Sequence, residues 1–100
     1  MCSSMKEKTI EQKLVSEIKL LKGLCLKLSC PGFSGMPDRL ILLPKGKIGF
    51  VEVKRKGEKP RPLQVSRHKL LSALGFKVFV LDDKKQIEEI IEIIQGGDAR

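Results

Sequence analysis

The run Ile48-Gly49-Phe50-Val51-Glu52-Val53-Lys54 has the length and residue types of a buried β-strand, yet it sets a carboxylate and an ammonium among apolar side chains. Successive strand side chains alternate between faces, so Glu52 and Lys54 project from the same side of the sheet. Burying two such charges is costly unless each finds a partner. A fold that keeps them there must use them.

The residues before this strand bring a further charge to the same place. Gly35-Met36-Pro37-Asp38-Arg39 leads into the apolar run Leu40 to Leu43, and Pro44-Lys45-Gly46 then interrupts. That triplet suits a three-residue hairpin loop, with a proline-initiated type I turn and a glycine in the left-handed position. Leu43 then faces Lys47, and counting back along both arms brings Asp38 opposite Glu52. A one-residue slip would send Asp38 to the other face. Two carboxylates at one spot repel and raise each other's pKa, unless a divalent cation between them reverses the sign. Oxygen donors with open positions suit Mg2+, with Mn2+ as its substitute.

Pro37-Asp38, a spacer, and Glu52-Val53-Lys54 resemble the PD-(D/E)XK nuclease signature. With Gly35-Met36 before the acid and Gln64 downstream, the pattern most resembles the virus-type replication-repair nuclease (VRR-NUC) family, over roughly Thr9 to Leu81. The resemblance implies an α/β fold, a mixed central sheet flanked by helices. It implies a metal-dependent DNA endonuclease in which Asp38, Glu52 and the backbone carbonyl of Val53 hold Mg2+ and Lys54 stabilises charge on the phosphate. It also implies a site glutamate on the first helix, Glu11 or its rival Glu17, and a role for Gln64 in orienting water or a phosphate oxygen. For either glutamate the plain alternative is a surface ion pair with a neighbouring lysine. Small stand-alone members resemble four-way (Holliday) junction resolvases, which implies a homodimer acting on branched DNA. A restriction-type or flap nuclease and a non-catalytic basic DNA-binding module are the rival classes.

Composition fits a nucleic-acid partner. One hundred residues suit one domain spanning 1–100, with a core from about 9 to 95 and frayed ends at 1–4 and 96–100. The net charge of +8 favours a polyanion. Its densest basic stretch runs from Lys54 to Pro62, so Arg55, Lys56, Lys59 and Arg61, with Arg39 beside Asp38, are candidate DNA contacts; the alternative is a solvated loop. Four phenylalanines without tryptophan or tyrosine leave little for base stacking, and Phe50, Phe76 and Phe79 lie in apolar runs that call for burial. Backbone and shape recognition of duplex or branched DNA is therefore expected. Cys2, Cys25 and Cys30 form no C-x-x-C pair, and with a single histidine in the chain the spacing of a zinc centre is missing. An odd cysteine count without a secretory signal points to the cytoplasm, and no apolar run reaches membrane-spanning length.

The expected element order is α-β-β-β-α-β-α. Thr9-Ile10-Glu11-Gln12 has the form of a capping box, and Ile10, Leu14, Ile18 and Leu21 recur at helical spacing up to Gly23. Strands follow at Leu24 to Leu28 and in the hairpin. Pro62 opens a helix closing at Gly75, and Val78 to Leu81 is a strand. Asp82 or Asp83 caps a last helix whose Ile87, Ile90, Ile91 and Ile94 exceed the evident needs of one small core, which marks that helix as a candidate dimer contact. His68, four residues after Gln64 on the same helix, is read as an ordinary surface or core residue.

Overall fold

The computed structural model describes residues 6–96. Helix α1 (Glu7–Leu20) is followed by β1 (Leu24–Lys27), β2 (Arg39–Leu43), β3 (Lys47–Val53), α2 (Pro62–Ala73), β4 (Lys77–Leu81) and α3 (Ile87–Ile94), the expected order. The four strands lie side by side in sequence order, the first three antiparallel and β4 parallel to β3. A parallel neighbour requires a crossover, and α2 supplies it. Of the expected frayed ends only Gly96 is described, closing the chain after α3 at φ 103°; the rest lies outside the described residues.

Alternation divides the sheet into two unlike faces. Ile41, Leu43, Val51, Val53 and Leu81 point to one side, where they pack with Ile10, Leu14 and Ile18 of α1 and Ile87, Ile90, Ile91 and Ile94 of α3. Ile87, Ile90, Ile91 and Ile94 are thus all taken up by the core, which removes them as the surplus expected for a dimer contact; of the five isoleucines of α3 only Ile93 lies outside it. Burial of each such side chain is worth about 1.5–3 kcal/mol, so this face carries most of the apolar stabilisation. The opposite face holds Leu40, Leu42, Phe50 and Glu52, and α2 covers it only from the β4 side. Leu24, Leu26 and Ile48 remain exposed there, side by side with Leu40 and Leu42.

Three local expectations are corrected. Helix α1 starts two residues before Thr9, with Lys6 as a cap that offers no side-chain bond; the Lys6 carbonyl accepts from the Thr9 and Ile10 amides, so no capping box forms at Thr9. The helix closes by a Schellman pattern in which Lys22, at φ 67°, takes the left-handed place. Gly23 is needed for space instead, since a Cβ there would lie 2.5 Å from the Leu42 carbonyl oxygen. In the hairpin loop both Lys45 (φ 70°) and Gly46 (φ 73°) are left-handed, so the turn is not type I. Successive left-handed residues match the twist of the flanking strands, and the three-residue loop keeps Leu43 opposite Lys47. Asp83, not Asp82, caps the short 3-10 turn Lys84–Gln86 that leads into α3.

Candidate active site

The hairpin register places the acids. Arg39 pairs with Val51, so Asp38 arrives one step beyond, at Glu52, and its Oδ2 accepts from the Val53 amide at 3.0 Å. Glu52, only 1% exposed, lies beneath the N-terminal half of α2. Gln64 Nε2 donates to Glu52 Oε2 at 2.8 Å, and the Lys54 ammonium stands 3.6 Å from the same oxygen. Pro62 at the first helical position and the bond from the Arg61 amide to Gln64 Oε1 start α2 where Gln64 reaches the strand. Gln64 therefore has both ends of its amide occupied. It thereby holds Glu52 in place.

Burial drives the electrostatics. Desolvation, then the charge of Asp38, push Glu52 up to about 7, against the opposing pull of Lys54. The other oxygen, Oε1, is buried without a hydrogen bond and faces His68 Nε2 at 3.7 Å. That nitrogen too is buried without a partner, and burial, then Lys54, lower the His68 pKa. His68 thus faces the site rather than being an ordinary surface or core residue, and its four-residue spacing from Gln64 is the signal for it in the sequence.

The two glutamates of the first helix expected at the site are both engaged by cations. Glu11 gives its carboxylate to Arg39 Nε at 2.8 Å, and Glu17 pairs with Lys13 at 3.1 Å on the surface. Glu7 lies one turn before Glu11 on the same helix. Its pKa is raised by burial first, then by Asp38, Glu58 and Glu11, while Lys54 lowers it. Starting the helix at Thr9 hid this residue. Arg39, half-buried, is tied into the fold: its Nε donates to Glu11 and its Nη1, at 3.1 Å, to the Cys25 carbonyl.

Of the basic stretch, Arg55, Lys56, Lys59 and Arg61 are all exposed, as expected. Lys56 pairs with Asp83, and Arg55 stands 3.9 Å from Glu58. Ion pairs this exposed are weak and yield readily to a phosphate. Phe76 departs from expectation: it is 40% exposed and meets Phe50 edge to face, with ring centroids 5.7 Å apart.

The donor set suits a hard divalent cation. Two neighbouring carboxylates, one with a buried oxygen that lacks a hydrogen bond, gain from a cation between them. Among the described residues no three His, Cys, Asp or Glu side chains gather as a metal cluster. The protein could therefore offer Asp38, Glu52 and the Val53 carbonyl, leaving the remaining positions to water, as Mg2+ prefers.

Among the described residues no helix is long and apolar enough to cross a membrane. No protein-family model matches the chain. A protein of Acyrthosiphon pisum secondary endosymbiont phage 1, named "Putative nuclease p44", is 50% identical over 80 residues, which are 80% of this chain and 86% of that protein. A solved structure described as a VRR_NUC domain is 40% identical and superposes with a TM-score of 0.83, covering 88% of this chain and 96% of that one. With the sheet, the crossover helix and the length of both relatives in agreement, this chain belongs to the virus-type replication-repair nuclease family.

Proposed function

We propose that this nuclease is a Mg2+-dependent DNA endonuclease of the PD-(D/E)XK type, selective for branched DNA such as four-way junctions and active as a homodimer. The observation that carries the metal-dependent chemistry is the buried meeting of Asp38, Glu52 and Lys54, in which Glu52 is held near neutral pKa and keeps an oxygen free. Asp38, Glu52 and the Val53 carbonyl would hold the ion. Its chemistry, when bound, is to lower the pKa of a coordinated water and neutralise charge on the phosphate.

The chain's own residues supply the rest. The Val53 amide fixes the Asp38 carboxylate and Gln64 fixes that of Glu52, so neither acid has to reorganise when a phosphate enters. Lys54, 9% exposed, presents its charge to the phosphate from a site that excludes most water, which strengthens every interaction there. Arg55, Lys59 and Arg61 continue from the strand as exposed cations along the path of the backbone.

The homodimer accords with the symmetry of a four-way junction, whose two equivalent strands need two sites related by a twofold axis. Cleavage of linear duplex, flapped duplex and four-way junction by equal amounts of protein in Mg2+, each repeated with chelator, tests the reading. Paired cuts across the junction at rates well above those on linear duplex are expected. Equal rates on all three DNAs refute branch selectivity, and undiminished cutting in chelator refutes the metal.

A further inference from the structure

The loop joining β1 to β2 is rooted at the site. Its two ends are tied by the Leu28 amide, which donates to the Asp38 carbonyl at 2.8 Å, so residues 29–37 leave from and return to the position of the first acid. The loop carries no charged side chain in a strongly basic protein. From this root it reaches across to α2, where three contacts fasten it. Arg67 Nε donates to the Ser34 carbonyl at 2.8 Å. The Arg67 guanidinium carbon stands 3.8 Å from the centre of the Phe33 ring. Gly35, at φ 91°, lies so close to α2 that a Cβ would come within 2.8 Å of Leu63 and 3.1 Å of Arg67.

These fastenings do not bury the ring. Phe33 remains 40% exposed, although a loop pressed onto a helix beside Leu63 could hide it. The helix that holds it also carries Gln64 and His68, which face the Glu52 carboxylate, so the ring stands in fixed relation to both acids. The Arg67 guanidinium covers one face of the ring and holds it, so the part of Phe33 left exposed is the surface open to a ligand, with the positive charge behind it. A rigid flat apolar surface backed by a cation matches a nucleobase attached to its phosphate. In continuous duplex the base faces are covered by their neighbours; at a branch point one face is open.

We propose that Phe33, held under Arg67, is a stacking site for the base exposed where a DNA branch opens, and that it selects branched over continuous duplex. The proposal rests on the nuclease acting on DNA. One well-placed ring suffices for a single exposed base, so the proposal is compatible with the low aromatic content.

The test measures affinity by fluorescence anisotropy in chelator, where no cleavage is expected, for a four-way junction and a linear duplex of equal length. Stacking on one aromatic side chain typically changes affinity on the order of 10-fold when it is removed. Phe33→Ala should lower the junction-to-duplex affinity ratio by about 10-fold, Phe33→Trp should retain it, and Phe33→Leu, which keeps apolar bulk without a stacking plane, should behave as alanine. A junction with abasic nucleotides at the crossover should bind the wild-type and Phe33→Ala proteins equally. Thermal unfolding of each variant shows whether the loop still holds. Equal losses on junction and duplex, wild-type behaviour of Phe33→Leu, or a loss that persists on the abasic junction would overturn the stacking site. Cleavage of the same DNAs by the wild-type protein in Mg2+ reads the nuclease assignment separately.

Discussion

Glu52→Gln should make the metal-free protein more stable at alkaline pH, and the size of the gain follows from the site. Raising the carboxyl from 4.5 to about 7 corresponds to about 3 kcal/mol of preference for the neutral form. Between those pH values the folded protein keeps a proton that the unfolded chain gives up, so this residue's contribution to stability falls as pH rises through the window and is flat above it. Glutamine keeps the acceptor for Gln64 and cannot ionise. The stability difference, variant minus wild type, should therefore grow by up to about 3 kcal/mol between pH 4 and pH 8. For a chain of this size that is a relative rise in Tm of roughly 10–20 °C. Thermal unfolding followed by circular dichroism in chelator reads it directly. Adding Mg2+ or Mn2+ at pH 8 should stabilise the wild type by about 2.7 kcal/mol at 100 times the Kd and leave the glutamine variant almost unmoved. A stability difference that does not change with pH would refute the buried, Asp38-opposed carboxylate. A metal effect equal in both proteins would remove Glu52 from the proposed metal site.

Other outcomes follow from the same geometry. Asp38→Ala should abolish cleavage in Mg2+ while leaving DNA affinity, measured in chelator, equal or slightly higher, because a negative charge leaves a phosphate site. Lys54→Ala should slow cleavage on the order of 10²- to 10³-fold with little change in affinity; a change confined to the salt dependence of binding would make Lys54 a phosphate anchor only. Gly23→Ala should destabilise the fold by roughly 1–3 kcal/mol in urea unfolding, because the Leu42 carbonyl 2.5 Å from the new Cβ is backbone and cannot step aside. The proposed homodimer should sediment as a dimer, and Leu24→Glu with Ile48→Glu, on the exposed apolar face beside the free edge of β1, should yield a folded monomer that no longer makes paired cuts.

The elements and the strand register were legible because they rest on local rules. Pro44 and Gly46 fixed the loop length, loop length fixed the pairing, and the pairing put Asp38 at Glu52. Even the wrong turn type left the register intact, since Lys45 accepts a left-handed conformation that costs about 1–2 kcal/mol without adding or removing a residue. The site's surroundings were less legible. Gln64 and His68 share a helix face, yet only the docking of α2 on β3 shows that both point at Glu52. Glu7 escaped notice because a capping-box pattern at Thr9 competed with a helix that begins earlier without any side-chain cap. Arg39 looked like a free cation because nothing in its neighbours' sequence announces Glu11, 28 positions away.

Division of the sheet into two faces explains how so small a chain tolerates a buried carboxylate. Ile41 and Leu43 of β2 and Val51 and Val53 of β3 join the helices α1 and α3 in an apolar core. The intervening residues face α2, where Glu52 and Lys54 are desolvated but answered by Gln64 and by each other. Cost and stabilisation therefore sit on opposite sides of the same strands. Substitutions at Glu52 can change charge without opening a cavity in the α1–α3 core, whereas truncation of Ile91 or Ile94 would loosen the support beneath β3 and shift both acids together. A slip of one residue in the hairpin would exchange the two faces, burying Glu52 in the apolar core and turning Val53 toward α2. The three-residue loop at Pro44–Gly46, remote from the chemistry, is thus what keeps Asp38 and Glu52 on the same side as Gln64.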